Sequence, residues 1–450
     1  MQHDQVGPPR GRRLPTWRRE SLRTTLWFLP AVLVAAAACG FVLSYALDQA
    51  VYRGDLALPW WIRTGGADAG RQVLIGIAAA VITVVGVVFS ITILALTLAS
   101  QQFGPRMLRN FIRDVGTQVT LGAFVATFVY ALLALGSITN GPRGEFVPHI
   151  SITVALALML GDLLVLIYFI HHIAKSIQLP EVIAGIAADL GRAIDAELPL
   201  GAGGPPALDD QQVVDGLADQ IREQGVRVPA PTSGYLQFVG YAELAAIAGD
   251  ADAVILLAHR PGHFVVAGRT LATVYPREAA GRVAQALGRA HVTGPHRTLI
   301  QDPVFAIDQL VEIAIRALSP AVNDTFTALT CIDWLCDGLC KISGRRLAEG
   351  VYRDRAGRVR LIEAGPSYAR MVNRAFDKIR QAGRGMPAVA IRQVEALARV
   401  MEYTADPGRR AVLLRQADMI LRSVEEAVPE DEDRALVRAR YGEVVAASGR

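Results

Sequence analysis

Cysteine is scarce. The 450 residues contain four: Cys39, Cys331, Cys336 and Cys340. Cys39 falls in an apolar run, and the other three share one predicted helix at spacings of five and four. Neither arrangement makes a disulfide framework or a zinc knuckle, so the thiols read as reduced and buried. Lysine is missing between residues 176 and 340. That removes the attachment point for a biotinyl- or lipoyl-type group from the β-rich stretch found there. No P-loop, dinucleotide fingerprint, HExxH or nucleophile–base motif occurs, so no reaction class is indicated and no cofactor or metal is expected. Long apolar runs are absent after about residue 175.

Before that point there are four, over 24–47, 72–99, 117–137 and 148–173. Each suffices to cross a hydrocarbon core of about 30 Å as a helix. The implied fold class is an α-helical membrane protein with four transmembrane helices and a cytoplasmic α+β region. A basic tail over 1–23 carries Arg10, Arg12, Arg13, Arg18, Arg19 and Arg23 next to the first run. This is the pattern of a cytoplasmic anchor rather than a nucleic-acid arm. Both termini are therefore expected in the cytoplasm, with the chain multi-pass in a bacterial inner membrane and the lipid bilayer as its first partner.

Two spans carry polar features. In the second, Gly76, Thr83, Ser90 and Thr97 recur every seven residues, with Ala80 and Gln101 on the same side. A seven-residue repeat keeps small and hydroxyl groups on one helical face. Such a face either packs closely against another helix or lines a pathway at an oligomer axis. In the fourth, Asp162 sits near mid-span with no Lys or Arg at comparable depth. It is a candidate ion or proton site, or a neutral hydrogen-bonded structural acid. His171 and His172 follow at the membrane edge, where contact with headgroups is the simplest reading. After the second span, Gly104-Pro105 breaks the helix and forms a candidate hinge. Residues 105–115, with Met107, Leu108, Phe111 and Ile112 on one face, read as an interfacial helix.

The remainder divides into a helical connector and linker over 176–228, a small β-barrel or sandwich over 229–276, and a mainly helical domain over 277–450 with a hairpin at 350–364. Lys175 to about Leu198 reads as an amphipathic helix continuing from the fourth span. Asn323-Asp324 is placed to cap a helix starting at Thr325. Asp302, Asn323 and Asp324 form a candidate cytoplasmic binding motif, although caps and solvated faces account for them equally well.

Several long runs resemble one bacterial family. They are Phe89-Ser90-Ile91-Thr92, Ala99-Ser100-Gln101-Gln102-Phe103-Gly104-Pro105-Arg106 and Leu108-Arg109-Asn110-Phe111. Further along come the runs 168–178 around His171-His172, Arg297-Thr298-Leu299-Ile300-Gln301-Asp302-Pro303, and Ala317-Leu318-Ser319-Pro320-Ala321-Val322-Asn323-Asp324. In order and spacing the chain is similar to the "predicted membrane protein, domain of unknown function 2254" family over nearly its whole length. The resemblance implies several spans in a bacterial inner membrane and brings no activity with it. Asp162 lies outside these runs.

Two functions are expected to compete. One is a homo-oligomeric channel or channel-like transporter, with Thr83, Ser90, Thr97 and Gln101 lining the pathway and Gly104 and Pro105 as hinge. The other is a membrane-anchored sensor or scaffold whose cytoplasmic part binds a ligand or protein. An enzyme ranks third, because no constellation fixes a reaction.

Overall fold

The computed structural model describes residues 27–56, 59, 65–103, 114–141, 144–198, 208–347, 350–363, 365 and 367–449. Two compact units divide at Glu181 and Val182.

The first unit holds four helices, α1 (Phe28–Arg53), α2 (Ala67–Phe103), α3 (Val115–Gly136) and α4 (His149–Ser176), with strands β1 (Thr139–Gly141) and β2 (Gly144–Phe146) between the last two. All four are long and apolar enough to cross a membrane. α3 packs against each of the others and is the most enclosed. Its Phe124, Tyr130, Ala131 and Ala134 meet Leu74 and Val88 of α2 and Ile152, Ala155 and Phe169 of α4. Gly122 allows the close approach of α1, since a Cβ there would stand 2.6 Å from Leu33 and 3.0 Å from the Pro30 backbone.

The helices outrun the apolar segments. α1 continues past Leu47 through Asp48, because that carboxylate has backbone donors waiting for it on α4. The expected unbroken passage from the fourth span is interrupted at Ile177–Gln178, and α5 (Leu179–Glu197) starts anew. Pro180 lacks the N–H that a continuing helix requires and fits a first turn instead.

The second unit takes up α5 from Val182, continues with α6 (Leu208–Gln224) and then interleaves strands with helices: β3 (Val226–Pro229), β4 (Gly234–Val239), α7 (Tyr241–Asp250), β5 (Val254–Leu257), β6 (Phe264–Val265), β7 (Thr270–Tyr275), α8 (Ala280–Ala290) and β8 (His291–Gly294). The hairpin β9 (Val351–Arg353) and β10 (Val359–Ile362) lies far along the chain. No barrel closes. Where a small barrel or sandwich is expected, the chain forms a five-stranded sheet in the order β3-β7-β5-β10-β9 and a three-stranded sheet β6-β4-β8. The distant hairpin completes the larger sheet, with β10 parallel to β5 through Leu361 opposite Ile255. Alternation along β5 explains why the sheet stays open. Ile255 and Leu257 enter one core with Val274, Val283 and Leu287, while Val254 and Leu256 pack against α6 through Ile221. A sheet buried on both faces needs helices on both sides rather than closure. Arg360, buried in β10, clamps the hairpin by bonds to Asp252 and Asp354, each 2.8 Å.

Among the described residues six more helices complete the unit, two before the hairpin and four after it: α9 (Pro303–Ala317), α10 (Thr325–Ser343), α11 (Tyr368–Ala382), α12 (Pro387–Glu402), α13 (Pro407–Ala427) and α14 (Asp431–Ser448). Proline opens α9, α12 and α13, where its missing N–H costs nothing. Asp324 caps α10 by accepting from the Thr327 N–H at 3.1 Å. Cys331 and Cys336 are buried and unbridged, and burial pushes the Cys331 thiol up to about 12.

Candidate functional site

Polar side chains gather at three levels of the helical unit. At the start of α4, Asp48 of α1 is 2% exposed. Its Oδ1 accepts from the Ile150 N–H at 2.8 Å, and Oδ2 accepts from the Ser151 N–H at 3.0 Å and the Ser151 hydroxyl at 2.7 Å. Pro148 precedes α4 without a side-chain cap, so a residue from another helix supplies it. Ser44 donates to the Phe41 carbonyl, and with that proton committed the Tyr130 phenol donates to Ser44 at 2.7 Å.

Asp162 lies eleven residues further along α4, roughly 16 Å by helical rise. It is 6% exposed and turned into the bundle. Thr127 of α3 hydrogen-bonds to it, and its Oδ2 has no partner among the described residues. At the far end of α4, His172 Nε2 meets Asp114 at 2.7 Å. Asp114 also caps α3, accepting from the Thr117 N–H and hydroxyl at 2.8 Å each. Burial pushes the Asp114 carboxyl up, but the Thr117 and His172 bonds outweigh it and hold it below the usual range. Thus His172 joins two helices, rather than reaching for headgroups as its position in the sequence implies.

The hydroxyl stripe of α2 faces the other way. Thr83, Ser90 and Thr97 are exposed on the side opposite Leu74, Ile77, Val81 and Val88. Each donates to the carbonyl four residues back, at 2.7, 2.8 and 2.9 Å. Of Gln101 only the backbone within α2 is described. Gly104, Pro105 and the interfacial segment up to residue 113 lie outside the described residues, as does the tail 1–23.

In the second unit, Asp302 does not meet Asn323 and Asp324. It precedes α9, they follow it, and the 15 residues of α9 separate them by roughly 22 Å. Asn323 adopts a left-handed conformation, φ 50°, in the junction before α10. Asp302 belongs to a different group. Arg297 Nη2 donates to it at 2.7 Å and Arg297 Nη1 to Asp308 at 2.5 Å, while Arg374 grips Asp308 at 2.6 and 2.8 Å. Gly262, φ 90°, brings its backbone so close to the Asp302 carboxylate that no side chain fits. Nearby, Glu363 at the end of β10 accepts from the Tyr241 hydroxyl at 2.7 Å, and Tyr241 stacks on Tyr352 at 4.8 Å. Among the described residues no three His, Cys, Asp or Glu side chains form a metal-binding group.

Burial pushes the Glu363 carboxyl up to about 7, against the pull of Tyr241 and Arg260. The folded chain holds this proton to about pH 7, whereas the unfolded chain releases it near 4.5. Stability is therefore expected to fall as pH rises through that window, by about 3 kcal/mol from this group alone. Glu363→Gln should flatten the slope in unfolding titrations from pH 5 to 8. Parallel profiles for the two proteins would refute the assignment.

Residues 23–399 match the family model described as predicted membrane protein (DUF2254). The chain belongs to this family. Uncharacterized proteins of Mycobacterium tuberculosis and Mycobacterium bovis are each 34% identical to it over 439 residues, covering 95% of this chain and 82% of theirs. No solved structure matches the chain.

Three of the runs quoted above fall at joints of the fold of this DUF2254 member. The run 168–178 carries His172, which ties α4 to the start of α3. Arg297 to Pro303 carries the ion cluster ahead of α9. Ala317 to Asp324 makes the turn into α10, where the Asn323 N–H bonds to the Ser319 carbonyl at 2.9 Å and the Asp324 N–H to the Ala317 carbonyl at 2.8 Å. Sequence reasoning overlooked Asp48, Ser44, Tyr130, Arg297 and Glu363. An acid closing an apolar run was the available signal for Asp48; nothing local distinguishes Glu363.

Proposed function

We propose that this DUF2254 protein is a homo-oligomeric channel or channel-like transporter of the bacterial inner membrane, with both termini cytoplasmic and α2 lining the pathway. One observation carries the reading: the small and hydroxyl residues of α2 point away from the protomer's own helices. Close packing within the protomer therefore does not account for the stripe. A Cβ added at Gly76 or Gly86 would meet nothing within 4 Å, so this face is shallow enough for another copy of α2 to approach. The intrahelical bonds of Thr83, Ser90 and Thr97 leave hydroxyl lone pairs turned outward, where they serve as acceptors along an axis. Asp162, facing inward, is then a site for a proton or ion within each protomer.

Native mass spectrometry of the purified protein should give a defined oligomer, and planar bilayers should carry current. Ser90→Trp should reduce that current by about tenfold or more by filling the axis. A monomer, or a current untouched by Ser90→Trp, would refute the reading.

A second reading, a membrane-anchored sensor or scaffold, draws on the junction before α10. Phe326 is 82% exposed there and Val322 is 54% exposed, an uncommon placement for two apolar side chains. On this reading a purified partner, once identified, loses at least tenfold in affinity with Phe326→Asp; unchanged binding would refute it.

A further inference from the structure

A cavity of about 350 Å³ opens between the last turns of α11 and α13. Arg380 and Arg384 line it from one side, and Met419, Arg422, Ser423 and Glu426 from the other. Each guanidinium offers five N–H donors, and these three use almost none of them. The Nε of Arg380 is buried without a partner, and its nearest carboxylate, Asp377, stands at 3.8 Å. Asp377 is itself engaged by Gln416 at 3.1 Å. Arg384 reaches only Glu426, at 3.5 Å. Arg422 has no hydrogen bond or ion pair among the described residues.

Helix ends do not account for the cluster. Arginines near a C-terminus commonly satisfy its free carbonyls, but among the described residues none of these three donates to one, and some of those carbonyls are already taken. Ile379 accepts from the Gly383 N–H at 2.8 Å, Val424 from the Val428 N–H at 2.9 Å, and Val428 from Arg434 at 2.7 Å. Arg380 is half-buried, Arg384 and Arg422 are exposed, and the cavity wall carries one carboxylate, Glu426, so the three cations leave an excess of positive charge that an anion would offset. The planar forks of arginine match phosphate oxygens in pairs. The volume is at the lower end for small organic ligands.

We propose that this cavity binds a small molecule through a multiply charged phosphate group. Arg380 and Arg422 hold the phosphate oxygens, the Ser423 hydroxyl adds a hydrogen bond, and Met419 supplies an apolar wall. Arg384 leaves Glu426 to join them. The site belongs to the second unit and is independent of the pathway reading. The phosphate belongs either to a soluble ester or diphosphate or to a lipid headgroup, and the two sources share this chemistry.

The full chain in zwitterionic nanodiscs is titrated by calorimetry with inorganic pyrophosphate and, separately, with dioctanoyl phosphatidic acid. At least one probe should bind, and which one does so identifies the source. The double variant R380Q/R422Q should bind about tenfold or more weakly, as expected when two charge-assisted contacts are lost. Its melting temperature should hold, because these side chains have almost no partners to lose. Glu426→Gln should strengthen binding severalfold by removing the competing carboxylate, and it decides the matter should the double variant fail to fold. Absence of binding by both probes at millimolar concentration overturns the proposal. So does wild-type affinity in R380Q/R422Q, or weakened binding in Glu426→Gln.

Discussion

Arg297→Ala is expected to cost the chain about 3–5 kcal/mol of stability, the range for removing one partner from a buried ion pair. Arg297 is the bridge of its cluster, joined to both Asp302 and Asp308 and lying 5.0 Å over the Phe305 ring. Asp308 keeps Arg374 after the change. Asp302, only 5% exposed, keeps no hydrogen-bonded cation and must remain charged in a poor medium or take up a proton. Arg297→Lys restores the charge but not the fork, and should recover about half of the loss. Asp302→Asn should be milder, about 1–2 kcal/mol, because it removes the charge along with the partner. Denaturant unfolding of the three variants gives this order. A loss below about 1 kcal/mol for Arg297→Ala would show that Arg260 already neutralises Asp302 and that the bridge is dispensable.

The second large effect is expected at Asp48. Asp48→Ala leaves two backbone N–H groups without their acceptor at a buried site, while the Ser151 hydroxyl turns to Ser44 Oγ, 3.0 Å away. At about 1–3 kcal/mol for each buried group left unpaired, a net loss of about 3 kcal/mol or more follows. Asp48→Asn keeps one acceptor oxygen and should lose about half as much. Thermal unfolding in detergent measures both. A further change, Ser151→Ala, should cost little once Asp48 is gone, since the two share one network. Full additivity of the pair would show that Asp48 does not act through the start of α4.

What was legible in the sequence follows from how local the signal is. An apolar run long enough to cross a bilayer is a property of consecutive residues, so four helices could be counted directly. Caps are local as well: Asp324 accepts from a residue three positions on, and Pro303, Pro387 and Pro407 sit where a first turn tolerates them. The seven-residue stripe on α2 was equally plain, because one helix suffices to define a face. Its direction was not. Whether Ser90 looks into the bundle or out of it depends on which side α3 packs against.

The misreadings have the same cause. The strands over 229–276 were legible as strands, β3 lying instead in the stretch expected to be a helical connector, but periodicity within them cannot show that β10, some hundred residues away, pairs in parallel with β5. That pairing opens the expected barrel into a sheet covered on both faces. Asp302, Asn323 and Asp324 looked like one motif because they are near in sequence, yet a rigid helix of fifteen residues holds them apart. Glu363 and Tyr241, or Asp48 and Ser151, look unrelated until folding brings them within 3 Å.

The sequence by itself determined the four apolar helices, the starts of several later helices, the polar stripe on α2 and the family. Only the tertiary structure decided that the stripe faces outward, that Asp162 faces inward to Thr127, and that Asp48 caps a helix other than its own. Helix formation is driven by residues within four positions of one another. The direction a helical face takes, and the partner of a buried charge, depend on contacts between segments that the chain order does not place side by side.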